Sequence, residues 1–263
     1  MGRWLESIGR GERLLWLNDT SYAARLLVND HVPWGETGAV AHWRSQAMRL
    51  LEPDIALLDL VALAKSWPST RGSVGGAGEG ELLELPANEA FRLHVGSILA
   101  ALRAITPKPL ALEIPSPRRW FADAAQSASN IPDLSEDTVE DCAGEWSRFL
   151  RSLSDVGLDV ILLREDGGSA AEVRAYLGCY TSLVNTAHHY RWDIGIQLPD
   201  LDSLPPTSFD FAVAARNATG VALDDAFWAG AAAPALPMPG FYYATVPADA
   251  QPVNVLARLR SLS

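Results

Sequence analysis

Short apolar runs alternate along the chain with longer stretches in which apolar residues recur at helical spacing. The clearest run is LDVILLREDGG at residues 158–168. Its Val160, Ile161, Leu162 and Leu163 are consecutive and rich in branched side chains. An unbroken apolar run of that length predicts a strand buried on both faces of a parallel sheet. It delivers Arg164, Glu165 and Asp166 at its carboxyl end, followed by Gly167 and Gly168, which let the chain turn. The same statement recurs at residues 13–18 (RLLWLN), 54–61 (DIALLDLV), 110–114 (LALEI), 192–198 (WDIGIQL), 220–223 (GVAL) and 241–246 (FYYATV). A further short extended piece is expected at 82–85.

Helical spacing fills the intervals. Residues 21–30 and 39–51 are expected to be helical, the second with Val40, Trp43, Ala47, Leu50 and Leu51 on one stripe. Asn88 is a candidate cap for a long helix over 88–105, which Pro107 and Pro109 stop. Helices are also expected at 121–128, at 138–156 after a start signal at 134–137, at 169–190, from Thr207 or Ser208 to Asn217, and at 253–262. Gly157 ends the helix that leads into the run at 158–168. Residues 69–80 (STRGSVGGAGEG) hold five glycines, which suits a mobile lid after a strand end.

Strand, loop and helix thus repeat about seven times, and repeated βα units demand parallel strands covered by helices. A doubly wound sheet and a barrel compete. No glycine-rich dinucleotide fingerprint follows the first strand, which leads into Asn18-Asp19-Thr20-Ser21, and no phosphate-binding P-loop is present. The expected fold is therefore α/β, a (β/α)8-type TIM barrel over residues 1–263, incomplete or irregularly closed at its C-terminus because only seven strands are counted.

Composition narrows the function classes. The 263 residues carry a net charge of -11 and 48% hydrophobic residues. That acidity disfavours nucleic acid as a partner. No apolar run reaches membrane-spanning length, so no membrane partner is expected, and the first residues lack an apolar signal core. The two cysteines, Cys142 and Cys179, lie far apart, which fits a reduced, cytoplasmic protein.

A barrel gathers its strand carboxyl ends on one face, where barrel enzymes hold their active sites. Here that face would collect Asn18, Asp19, Asp59, Glu113, Arg118, Arg119, Arg164, Glu165, Asp166, Asp200, Asp224 and Asp225. Asp59, Glu113 and Glu165 are the catalytic candidates. A carboxylate near apolar neighbours can serve as acid or base, and Glu113 and Glu165 on neighbouring strands form a candidate pair. The competing role for each carboxylate is structural: holding backbone amides, or pairing with Arg118, Arg119 or Arg164. Arg118, Arg119 and Trp120 form the candidate anion site, the arginines as forks and the tryptophan as a flat wall. Arg164, Asn18, Asp224 and Trp34 complete the candidate substrate-binding set, with Asp224 equally suited to capping a turn. No histidine stands at ligand spacing from either cysteine, and no metal site or cofactor is expected. No G-x-S-x-G elbow supports a hydrolase.

The chain resembles the uroporphyrinogen decarboxylase and cobalamin-independent methionine synthase superfamily. The resemblance is carried by EPDIALLDLVALAKSWP (52–68), KPLALEIPSPRRWFADA (108–124), LSDVGLDVILLREDGG (153–168), NATGVALDD (217–225) and FYYATVPADAQPVNVL (241–256). It implies a lyase of the decarboxylase kind acting on a small, anionic, partly apolar metabolite, with Asp59 in the place of the family's catalytic aspartate. The decarboxylases' arginine-rich segment after the first strand is replaced by NDTSYAAR, which points away from a porphyrin. Two other readings stand beside it: a methyl- or group-transfer enzyme with an external carrier, and a non-catalytic binding or assembly subunit. The last follows from an open barrel edge, which invites a partner or a homodimer mate.

Overall fold

The computed structural model describes residues 3–8, 14–70, 81–127, 133–165, 167, 169–198, 208–237 and 239–262. A short helix α1 (Arg3–Ile8) precedes β1 (Leu14–Asn18), α2 (Thr20–Val28), α3 (Thr37–Leu51), β2 (Ala56–Asp59), α4 (Leu60–Thr70), α5 (Glu81–Glu84) and α6 (Glu89–Ile105). Then follow β3 (Leu110–Pro115), α7 (Pro117–Ser127), α8 (Glu136–Arg151), β4 (Val160–Arg164), α9 (Ala170–Tyr176), α10 (Thr181–His189) and β5 (Asp193–Gln197). The chain ends with β6 (Phe211–Ala214), β7 (Gly220–Leu223), α11 (Asp225–Trp228), β8 (Phe241–Thr245) and α12 (Pro252–Arg260). The strands form one eight-stranded parallel sheet in the order β1-β8-β7-β6-β5-β4-β3-β2. This is a TIM-barrel-like (β/α)8 fold with one seam that no strand ladder closes.

That seam is not at the C-terminus. β8 pairs with β1 over five residues and with β7 on its other side. The gap lies between β1 and β2, and polar groups bridge it at both ends. At the lower end the Asp54 amide donates to the Leu15 carbonyl (3.0 Å), and the Leu15 amide donates to Asp54 Oδ2 (2.7 Å). At the upper end Asn18 Nδ2 donates to Asp59 Oδ2 (3.0 Å). The open C-terminal edge that suggested a homodimer mate is therefore absent.

The missing eighth strand is β6, in a stretch expected to be helical. Its four residues, FAVA, are all buried. A run that short and alanine-rich satisfies helix and strand alike, and the vacant place between β5 and β7 decides it. Residues 82–85 are the opposite case: α5 and a 3-10 turn (Leu85–Ala87) replace the expected extended piece. The helix expected at 169–190 is broken by a 3-10 turn at Leu177–Tyr180. The other long helices begin where their caps predict: Asn88 Oδ1 accepts the Phe91 amide at 3.0 Å, and Ser135 and Thr138 form a capping box. Among the described residues no helix is long and apolar enough to cross a membrane. The glycine-rich stretch 71–80, Asp166, Gly168 and Asp200 lie outside the described residues.

Inside the barrel, Trp16, Leu57, Ala111, Val160, Leu162, Phe211, Val213, Phe241 and Tyr243 pack together. Helix α1 joins this interior core. Its Trp4 meets Trp16, Phe211 and Phe241 edge-on, at centroid separations of 5.3, 4.9 and 5.0 Å, and the Leu5 amide donates to Asp193 Oδ2 (3.0 Å) at the start of β5. Large rings fit only because neighbouring strands yield space. A Cβ at Gly195 would overlap the Phe211 ring, and one at Gly220 would overlap Phe241. Trp4, Trp16 and Phe241 hold Phe211 in place, so the ring cannot swing away. Gly195→Ala is expected to destabilise the fold by about 3 kcal/mol, the upper range for overpacking a filled core. Urea unfolding checks this, and Phe211→Leu in the same chain should recover part of the loss.

Candidate active site

Period-two alternation decides which strand residues face the barrel interior. In β1 the face that carries Trp16 also carries Asn18. In β2 and β3 it carries Asp59 and Glu113, which are direct cross-strand partners. In β4 it carries Leu162 and then Arg164. In β8 it carries Tyr243 and then Thr245, the latter paired with Asn18. Apolar layers therefore give way to a polar layer toward the strand carboxyl ends.

Glu113 is the centre of that layer. It is 0% exposed. Trp16 Nε1 donates to its Oε1 (3.0 Å), while Asn18 Nδ2 (2.7 Å) and the Tyr243 hydroxyl (3.3 Å) donate to its Oε2. Burial pushes its carboxyl up from 4.5 to about 7, and the Asp59 charge adds to the push. Arg164 and the hydrogen bonds from Asn18 and Trp16 oppose it without cancelling it. A carboxyl that changes charge near neutrality and is held by three donors is suited to general acid–base work.

Asp59 is nearly buried, and both its oxygens are used. Oδ1 accepts the Ala62 amide at 3.1 Å, capping α4, and Oδ2 accepts from Asn18. Arg164 Nη1 stands 4.0 Å from Oδ2. Asn18 is the joint of the group. Its amide donates to both carboxylates, and its Oδ1 accepts the Thr20 amide at 3.3 Å, which fixes the side chain's orientation. Asn18, Asp59, Glu113 and Arg164 thus come together at one place.

The other candidates do not join them. Glu165 follows Arg164 and so faces the opposite side of the sheet, toward the helices. There it is 0% exposed. Arg118 Nε donates to its Oε1 at 2.8 Å, Arg118 Nη2 donates to the same oxygen, and the Tyr180 hydroxyl donates to Oε2 at 2.7 Å. Arg118 also donates to the Gly167 carbonyl. The Glu113–Glu165 pair is thereby replaced by the cross-strand pair Asp59–Glu113, and Glu165 and Arg118 form a buried ion pair. Burial, and after it the Glu165 charge, raise the Tyr180 phenol far above its usual range.

Arg118, Arg119 and Trp120 do not form an anion fork because they lie on the first turn of α7. Successive residues on a helix point about 100° apart. Arg118 goes inward to Glu165. Arg119 Nε pairs with Asp123 Oδ1 one turn on, at 2.9 Å, and is partly exposed. Trp120 is buried edge-on against Trp146 at 5.3 Å, among the helices. Trp34 is likewise a core residue, edge-on to Trp43 at 5.6 Å. Asp224 is exposed and caps α11 through the Phe227 amide at 3.1 Å. Among the described residues no three His, Cys, Asp or Glu side chains converge as metal ligands.

Sequence reasoning left out Trp16, Tyr243, Thr245 and Gln197. The signal was available in the alternation. LLWLN places Trp16 and Asn18 on one face, and FYYAT does the same for Phe241, Tyr243 and Thr245. Gln197 stands two residues beyond the inward-facing Gly195 and pairs with Arg164. No known protein family matches the chain, and no curated protein matches it either.

Proposed function

We propose that the protein is a lyase of the decarboxylase kind, acting on a small, anionic, partly apolar metabolite at the carboxyl-terminal mouth of the barrel. The observation that carries this reading is Glu113, a wholly buried carboxyl poised near neutrality beneath a polar rim. Loss of CO2 leaves a carbanion or enolate that needs a proton, and neutral Glu113 is placed to supply it. The carboxylate it becomes is stabilised by Trp16, Asn18 and Tyr243. Arg164, the cation of this layer, attracts the substrate's anionic group. The apolar walls below favour a substrate with a hydrocarbon or aromatic body. Arg118 and Arg119, already paired with Glu165 and Asp123, serve architecture in this reading. The resemblance to the uroporphyrinogen decarboxylase superfamily agrees with the reaction class.

A panel of small β-keto, aromatic and enol-forming acids, labelled with 13C in the carboxyl group, tests the proposal in D2O. The expected result is release of labelled CO2 from one class, with deuterium at the carbon that carried it. Arg164→Gln should raise KM for that substrate, and Arg119→Ala should leave kcat and KM within about twofold, as expected of a surface change away from the chemistry. Failure of the whole panel to release CO2 overturns the decarboxylase reading.

A further inference from the structure

Trp16, Asn18 and Tyr243 direct their donors to Glu113 and Asp59. One acceptor of the inward face is left over. Gln197 ends β5, and its Oε1 is buried with no hydrogen-bond partner among the described residues. The surroundings explain why. Two residues below, Gly195 carries no side chain and the Phe211 ring fills its place. On the β6 side the register partner is Val213, an apolar residue of the interior core. On the β4 side it is Arg164, whose Nη1 extends the other way, across β3, to stand 4.0 Å from Asp59 Oδ2. The backbone is fixed meanwhile: the Gln197 carbonyl accepts the Glu165 amide at 3.0 Å, and the Leu198 amide donates to the Val213 carbonyl at 2.9 Å. The approach left for a donor is from the barrel mouth. A buried carbonyl oxygen that no protein group satisfies favours a ligand that brings a donor to it.

We propose that Gln197 is a specificity residue whose Oε1 accepts a hydrogen bond from a hydroxyl of the substrate. The inference rests on the reading of Arg164 as the group that holds the substrate's anion, and it narrows the substrate class to hydroxy acids. Arg164 and Gln197 are cross-strand neighbours, and adjacent strands lie about 5 Å apart. A carboxylate at Arg164 and a hydroxyl at Gln197 therefore belong to one small molecule, with the hydroxyl on the next carbon or the one after. A hydroxyl fits better than an ammonium, which Arg164 alongside would repel. An acid without the hydroxyl displaces water from Oε1 and offers no donor in return, so the site discriminates against it.

The test is a set of binding titrations, read by NMR, with two matched pairs of acids: benzoate and 3-hydroxybenzoate, butyrate and 3-hydroxybutyrate. In at least one pair the hydroxy acid is expected to bind about 10- to 100-fold more tightly. 3-Methoxybenzoate, which keeps the oxygen but not its proton, should bind no better than benzoate. Gln197→Leu should bring each hydroxy acid down to the level of its partner. The methoxy comparison needs no variant, so the inference stays testable if Gln197→Leu does not fold. Equal binding within both pairs overturns the inference, as does a hydroxyl preference that survives in Gln197→Leu. Equal weakening of both members of a pair by Gln197→Leu also overturns it, because Gln197 is then only a support for Arg164. Arg164→Gln checks the anion reading separately: it should weaken both members of a pair, and unchanged affinities overturn that reading whatever Gln197 does. Failure of every acid to bind overturns both.

Discussion

Glu113→Gln is expected to abolish the proton-transfer step and, at the same time, to remove a pH dependence from the stability of the fold. The size of the first effect follows from general acid catalysis: loss of a positioned acid costs about 10²- to 10⁴-fold in rate. The second follows from linkage. The carboxyl titrates at about 7 in the folded protein and at 4.5 as an ordinary glutamate. Between those values the folded protein holds a proton that the unfolded chain has released. Stability therefore falls as pH rises through this window and levels off above it. At about 1.4 kcal/mol per unit, the fold is weaker by about 3 kcal/mol at pH 8 than at pH 4 through this group alone. Glutamine carries no charge at either pH, so the variant lacks this fall.

The variant also has a cost of its own. Trp16, Asn18 and Tyr243 all donate toward this position, and glutamine offers one acceptor oxygen in place of two. One donor must face the new NH2, at about 1–3 kcal/mol for an unsatisfied buried group. Near pH 8 this cost and the relief of the buried charge nearly cancel, whereas at pH 4 the cost stands alone. Urea unfolding from pH 4 to 8 checks the sign, with other titrating groups common to both proteins. Parallel stability curves for the two would show that Glu113 is not the buried acid described here.

The fold was largely legible because apolar runs and amphipathic stretches alternate so regularly. It failed to show where two outcomes fit the same residues. FAVA at β6 satisfies either period, and only the place between β5 and β7 makes it a strand. The site was legible in part for a related reason. Asn18, Asp59, Glu113 and Arg164 stand at strand ends, and alternation places them inward. Glu165 also stands at a strand end, but it is one residue past Arg164, and that single step turns it to the other side of the sheet. Arg118 and Arg119 were misread as a fork because α7 begins at Pro117, earlier than its periodicity shows. Proline at a first helical position is itself a start signal. The contribution of Trp16 and Tyr243 depends on β1 pairing with β8 across the whole length of the chain, which no local pattern contains.

Arg44→Met is expected to be the most destabilising single change near the site, by about 3–5 kcal/mol, the cost of breaking a buried ion pair on one side. Arg44 Nη1 and Asp19 Oδ1 are 2.7 Å apart, with the side chains 2% and 0% exposed. The pair is not fully satisfied: Asp19 Oδ2 and Arg44 Nη2 have no other hydrogen-bond partner. Removing the guanidinium leaves a carboxylate buried with nothing to balance it. Removing both charges with Asp19→Asn and Arg44→Met should recover most of the loss, because the penalty belongs to the orphaned charge and not to the absence of the bond. The consequence reaches the site through one peptide bond. Asp19 follows Asn18, and its carbonyl accepts the Ala23 amide at 2.8 Å, starting α2. The ion pair thereby holds the turn from which Asn18 spans the β1–β2 seam to Asp59 and Glu113. This coupling predicts that Arg44→Met shifts upward the midpoint of the Glu113 carboxyl C=O band, read by infrared difference spectra against Glu113→Gln, because Asn18 no longer steadies the carboxylate. A midpoint unchanged in a folded Arg44→Met protein would confine the pair to stability alone.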